Sequence, residues 1–181
     1  MPLHRFLLTI LPSPALSGEV DRLKALVHKR VGSFSGRNTV PHITLFFADL
    51  LLECERDICE GIARGVVGHK GFPLHYDGIT HFPDKRTVYI DPVEKEAIAS
   101  VRSSIVRDVR AYPQLSDAVR ETEHPHLTIA AGLKPAQFDG AWEVLAPHEC
   151  RMEEQVTELV LLRRDLLPGA EYEHVRTFPL G

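Results

Sequence analysis

Two short stretches of the chain repeat one another: Pro41-His42-Ile43-Thr44-Leu45 and Pro125-His126-Leu127-Thr128-Ile129. With 13 prolines and 10 histidines in the sequence, chance gives roughly 0.04 occurrences of Pro-His-x-Thr in a chain of this composition. Two are present, both with aliphatic residues at the same two places. In an extended strand, residues i and i+2 share a face. His42 therefore stands beside Thr44 and His126 beside Thr128, while Ile43, Leu45, Leu127 and Ile129 turn to the core. A proline ahead of each histidine suits the first position of a strand, where a missing N–H costs least. Two such strands facing each other make a cleft with two imidazoles and two hydroxyls. That set suits phosphodiester chemistry. One imidazole takes a proton from water or a ribose hydroxyl, and the other gives a proton to the leaving oxygen. The hydroxyls donate to the non-bridging oxygens as charge develops there. The scheme requires neither a metal nor another cofactor.

Two other readings use the same residues. His124-Pro125-His126 is also an H-x-H, which on a strand can turn two imidazoles toward one metal ion; it lacks an evident third ligand and leaves the repeated threonines unexplained. The same cleft can also serve as a nucleotide- or RNA-end-binding module without turnover. Around the motifs, Phe46 falls on the same strand face as His42 and Thr44 by simple alternation, and His124 lies two residues before His126. Phe82, Arg86, Arg163 and Tyr172 come from strands or turns at candidate cleft edges, where aromatics stack bases and arginines pair with phosphate. His81, next to Phe82, is the remaining histidine of interest.

The elements that must position these residues follow from hydrophobic period and breakers. Phe6–Leu11 reads as a buried strand closed by Pro12-Ser13-Pro14. Leu16, Val20, Leu23, Leu26 and Val27 then mark a helix capped by Ser17 and ended by Gly32. Val40–Leu50 reads as the first motif strand. Glu53–Gly68 reads as a helix, against the helix-weakening Gly61 and Gly65. Strands are expected over 74–82 and 86–93, and an amphipathic helix over 94–110 with Ile98, Val101, Ile105 and Val109 inward. A polar stretch leads to the second motif strand, 126–131. A short helix after Pro135 follows, then strands over 155–163 and 172–180. The order strand, helix, motif strand, helix, strand occurs twice. Phe6 precedes His42 by 36 positions and Val88 precedes His126 by 38. This implies an internal duplication with a period of about 84 residues. The alternation indicates an α/β or α+β fold with helices covering sheet faces.

These motifs resemble the 2H phosphoesterase superfamily, whose best-known branch is the 2′-5′ RNA ligase and cyclic phosphodiesterase group. Its mark is two H-x-[T/S]-aliphatic tetrads, matched by His42-Ile43-Thr44-Leu45 and His126-Leu127-Thr128-Ile129. The resemblance covers nearly the whole chain. It implies a bilobal, internally duplicated α+β fold, with two antiparallel-rich sheets, helices on the outer faces and a central cleft. One domain, 1–181, is expected, with pseudo-repeat lobes of about 1–87 and 88–181. By the same resemblance His42 and His126 are the catalytic pair and Thr44 and Thr128 bind phosphate. The implied substrates are 2′,3′-cyclic phosphate ends, 2′-5′ linkages or related nucleotide phosphodiesters, without metal or ATP, and the implied reverse reaction is ligation. Two departures stand out. Ala130-Ala131-Gly132 follows the second tetrad, where the ligase branch often has an arginine, and Ala48-Asp49 stands where an apolar-Gly pair is frequent.

The bulk composition narrows the partners. With 21 basic and 25 acidic residues the formal charge is −4, which argues against wrapping long nucleic acid and leaves a nucleotide or a strand end. Cys54, Cys59 and Cys150 form no C-x-x-C and read as reduced thiols of a cytoplasmic protein. The first ten residues lack a signal-peptide layout, and no run approaches the roughly 18–20 apolar residues of a membrane span. No membrane partner is expected, and a monomer is the simplest state.

Overall fold

The computed structural model describes residues 2–181. The first strand, β1 (Leu3–Ile10), is followed by α1 (Pro14–Val31). Ser13 caps this helix, its Oγ accepting the Leu16 N–H at 3.3 Å; the cap is therefore not Ser17, which lies inside the first turn. Pro14 stands at the start, where its missing N–H is harmless. Gly32, at φ 75°, ends the helix as expected. The first motif lies in β2 (Ile43–Leu51), and a 3₁₀ turn, Leu52–Cys54, leads into α2 (Glu55–Gly65). Then come β3 (Phe72–His81), β4 (Val88–Pro92) and α3 (Lys95–Arg110). The polar stretch after α3 contains a short strand, β5 (Val119–Glu121), before β6 (Leu127–Ala130) with the second motif and α4 (Pro135–Leu145). Three strands finish the chain: β7 (Arg151–Val156), β8 (Glu158–Asp165) and β9 (Glu173–Pro179).

All strand pairings are antiparallel, in the order β7-β3-β4-β6-β2-β1-β8-β9, with β5 added on β2. The α+β class thus stands. The two expected sheets are joined in the middle by a single residue pair, Ile43 with Leu127. The order is palindromic about that seam, and so is the register. Thr9 faces Thr44 and Leu8 faces Phe46, which leaves Leu45 as an extra residue. Tyr89 faces Thr128 and Val88 faces Ala130, which leaves Ile129 as an extra residue. Both motif strands thus carry a β-bulge at the same place, one residue past the threonine.

The halves of this sheet are not the halves of the chain. β3 comes from the first 87 residues but lies with β4, β6 and β7, and β8 and β9 come from the end but lie with β1 and β2. A division of the chain at about 1–87 and 88–181 therefore does not coincide with the halves of the sheet: β3 crosses one way, and β5, β8 and β9 cross the other. α1 and α4 pack beneath the β6 side, whereas α2 and α3 pack beneath β2 and β9. Tyr76 and Glu154 tie α1 to β3 and β7. The Tyr76 hydroxyl donates to Glu154 at 2.5 Å, and the other oxygen of Glu154 accepts the Ser13 N–H at 2.7 Å. The core lies between helices and sheet and contains Ile43, Leu45, Leu127 and Ile129, as the motif parity requires.

Candidate active site

The antiparallel seam sets the geometry. With Ile43 opposite Leu127, one step along the register puts His42 opposite Thr128 and the other puts Thr44 opposite His126. Directly opposed side chains have Cβ atoms about 4.5–5.5 Å apart. Each histidine therefore neighbours the threonine of the other motif as well as standing two residues from its own. His42 and Thr128 line one pocket of about 160 Å³ with Lys24, Gly36, Thr39, Val40 and Pro41. The loop that supplies Gly36, Thr39 and Val40 to this pocket is held by antiparallel pairing of Ser35 with Ala131.

The two imidazoles have the same hydrogen bond. His42 Nδ1 lies 2.7 Å from the Val40 carbonyl, and His126 Nδ1 lies 2.7 Å from the His124 carbonyl. A carbonyl only accepts, so each Nδ1 carries hydrogen and, in the neutral ring, each Nε2 is left as an acceptor. The Pro between carbonyl and histidine fixes the short hook that makes this contact. Burial is the main influence on both rings and holds them below the usual histidine range. Their charge surroundings differ: Lys24 and His126 add to the depression of His42, while for His126 the His124 ring depresses and Asp91 opposes.

Aromatic side chains flank the pair. Phe82 meets the His126 ring edge-on at 5.0 Å and Tyr89 meets it at 5.2 Å. Tyr172 approaches His42 at 6.3 Å. His124 is exposed, its ring 6.3 Å from Phe82. On the same sheet face, Phe47 and Tyr172 pack on Leu7, Val160 and Leu162 as a small apolar patch separate from the main core. Arg5 and Arg164 border it. Arg5 lies over Phe47 at 4.6 Å and forms two 2.8 Å hydrogen bonds to Asp49; Arg164 lies over Tyr172 at 5.2 Å.

Three expected cleft residues lie elsewhere. Phe46 is fully buried in the main core, because the bulge at Leu45 reverses strand parity and turns Phe47 outward instead. Arg163 pairs with Phe6 across the sheet, on the helix side, and bonds to Glu55 at the start of α2 and to Glu173 at 2.9 Å; Arg164 holds the cleft-side position. Arg86 lines another cavity, of about 630 Å³, with Lys85, Lys134 and Phe138. His81 packs between Phe138 and Trp142, each at 5.0 Å, and has no part in the pair. Tyr89 and Lys24 were not anticipated. The alternation Val88-Tyr89-Ile90 places Tyr89 off the core face, and a lysine within the apolar stripe of α1 is itself a signal. Among the described residues no three potential metal ligands converge, and no helix is long and apolar enough to cross a membrane.

A family model of the 2′-5′ RNA ligase superfamily matches residues 12–167. Among curated proteins none matches the chain. The crystal structure of TT0787 of Thermus thermophilus is similar, with TM-score 0.73 and 18% identity over 97% of each chain. E. coli LigT complexed with NADP+ gives TM-score 0.65 and 17% identity over 98% of each chain. LigT complexed with 3′-AMP gives 0.58 and 18% over 99% of each. At such identities the likeness bears on the fold.

Proposed function

The chain belongs to the 2′-5′ RNA ligase superfamily, and from that premise we propose that it is a phosphodiesterase of nucleotide or RNA-end phosphodiesters, working without a metal through His42 and His126. The observation that carries this reading is the matched setting of the two imidazoles. Each donates Nδ1–H to the carbonyl two residues back, and each has the other motif's threonine across the seam. One Nε2 takes the proton of water or of a ribose hydroxyl; the other ring, protonated, gives its proton to the leaving oxygen. Thr44 and Thr128 donate to the non-bridging oxygens. A 2′,3′-cyclic phosphate or a 2′-5′ linkage fits this arrangement, and the same groups in exchanged roles join ends in the reverse direction. The nucleotides bound by LigT, NADP+, ATP and 3′-AMP, support a nucleotide ligand, with Phe82 and Tyr89 as stacking partners for a base. Cys54, Cys59 and Cys150 are unpaired, which supports a reducing, cytoplasmic setting.

The test is hydrolysis of the four nucleoside 2′,3′-cyclic monophosphates with chelator present. Turnover is expected in the wild type, with a loss of at least about a hundredfold in both His42→Ala and His126→Ala, the usual worth of a general acid or base. Activity retained by either folded variant rejects the paired mechanism. Activity abolished by chelator in the wild type rejects its metal independence. Nucleotide binding without product on any phosphodiester tried makes the cleft a binding module.

A further inference from the structure

Lys24 stands in the inward stripe of α1, between Val20 and Val27, and is only 2% exposed. A lysine is rarely buried this far without a carboxylate partner, because desolvating an ammonium is costly. Its Nζ donates to the Thr39 carbonyl at 2.5 Å, one bond for three donors. It forms no ion pair among the described residues. Asp21, exposed and one turn earlier on the helix, acts on it only at a distance, and burial holds the ammonium below the ordinary lysine range. The side chain lines the same pocket as His42 and Thr128, and its charge is felt at the His42 ring.

The corresponding place ahead of the second motif holds a cation of a different kind. α3 stands to the second motif as α1 stands to the first, and Arg102 of α3 donates to the Thr122 carbonyl, just ahead of His126. Lys24 bonds to the Thr39 carbonyl, just ahead of His42. Both cations therefore fasten the segment that enters a motif strand. Arg102, however, has Glu121 at 3.4 Å, and Glu121 is also bound by Arg110 at 2.9 Å. Lys24 has no such carboxylate. Fastening the segment accounts for the hydrogen bond but not for a lone buried charge beside a small pocket, and an anion held in that pocket does.

We propose that Lys24 is a further catalytic residue of this site, its ammonium binding a non-bridging oxygen of the substrate's phosphoryl group alongside the Thr128 hydroxyl. The substrate class rests on the phosphodiesterase reading, whereas the anion site can be tested without turnover. The experiment is calorimetric titration of inorganic phosphate into the full chain, wild type and Lys24→Met, with the thermal midpoint of each. Methionine keeps the length of the side chain and removes its charge; Lys24→Gln serves if that variant does not fold. Phosphate binding is expected to weaken about ten- to a hundredfold, as for loss of a charge-assisted hydrogen bond, with the thermal midpoint unchanged or raised. On a cyclic nucleotide, kcat/KM should fall by a similar factor. A folded neutral variant that binds phosphate as the wild type does, or a wild type that binds none at millimolar concentration, overturns the proposal. Phosphate binding that needs Lys24 in a protein without turnover removes the phosphodiesterase reading and keeps the anion site. Turnover that needs both histidines but not Lys24 does the reverse.

Discussion

Each motif histidine commits its Nδ1–H to a carbonyl of the strand entry, so ring orientation and tautomer are set before any substrate arrives. Burial then disfavours the charged form of both rings. In a histidine-resolved NMR titration both should lose their proton below the usual histidine range, and Asp91→Asn should lower His126 further while leaving His42 in place. An unmoved His126 would mean that Asp91 does not reach the ring. The link to stability has a definite sign. With a folded pKa below the unfolded one, the unfolded chain takes up protons first as pH falls, so this contribution is complete above the ordinary histidine range and is lost as pH drops through it. His75, raised by its hydrogen bond to Glu94, contributes in the opposite sense. At this scale the inward turn of Ile43, Leu45, Leu127 and Ile129, which leaves the histidines and threonines off the core face, was legible because i and i+2 share a face. Phe46 was misread because the Leu45 bulge breaks that count, and nothing in Ile43-Thr44-Leu45-Phe46-Phe47 marks where. Arg163 was misread because Leu159 to Leu162 are buried on both sheet faces, so the run gives no parity from which to tell it from Arg164.

Among the elements, α2 was legible in spite of its glycines, and the structure shows what they do. A Cβ on Gly61 would come within 2.8 Å of the Val109 Cα, and one on Gly65 within 2.4 Å of the Ile105 Cα. The two glycines are where α2 and α3 touch backbone to backbone. Gly65→Ala gains up to about 1 kcal/mol of helix propensity, but the clash is with main chain and cannot be relieved by a rotamer change. Overpacking of this kind costs about 1–3 kcal/mol. Net destabilisation is expected, read as a lower urea midpoint at unchanged slope, and a stabilised variant would show that the helices can move apart. Since α3 packs on β2, the same variant should also lower activity. Less legible was the region 151–165. A single strand over 155–163 was expected, yet β7 ends at Val156 and β8 begins at Glu158. The Thr157 carbonyl accepts the Leu180 N–H at 2.8 Å, a long-range contact that no local pattern announces. β5 was missed for a related reason: three residues paired on the edge of β2 are too few to show a period.

Taken as one molecule, the chain interlaces its two halves. β7 and β8 lie far apart in the strand order but are joined through Thr157 alone. One linking residue spans only about 7 Å, so the sheet must bring those ends together. α1 leaves β1 to pack beneath β6, and α3 leaves β4 to pack beneath β2. β3 also crosses to the half of the sheet that holds β4, β6 and β7, and β8 and β9 cross to the half that holds β1 and β2. The two motif strands were legible from spacing, since both motifs lie along the chain; the crossing of strands between the halves of the sheet was not, since it concerns which edge a strand joins and leaves no mark on its composition. The exchange means that neither half keeps a full set of strands and helices when the other is removed. We therefore expect one unfolding transition for the whole chain rather than two. Trp142, the one tryptophan in the sequence, packs on His81 and reports on the β3 side. Cys59, buried in α2 beneath the other side, reports there through its reaction with a thiol reagent. In a urea titration, Trp142 fluorescence, Cys59 labelling after a short pulse and far-ultraviolet circular dichroism should share one midpoint and one slope. Separate midpoints for Trp142 and Cys59 would show halves that fold alone. The site would then be an interface between two independent units, and the single Ile43–Leu127 pair would have to hold the two motifs together unaided.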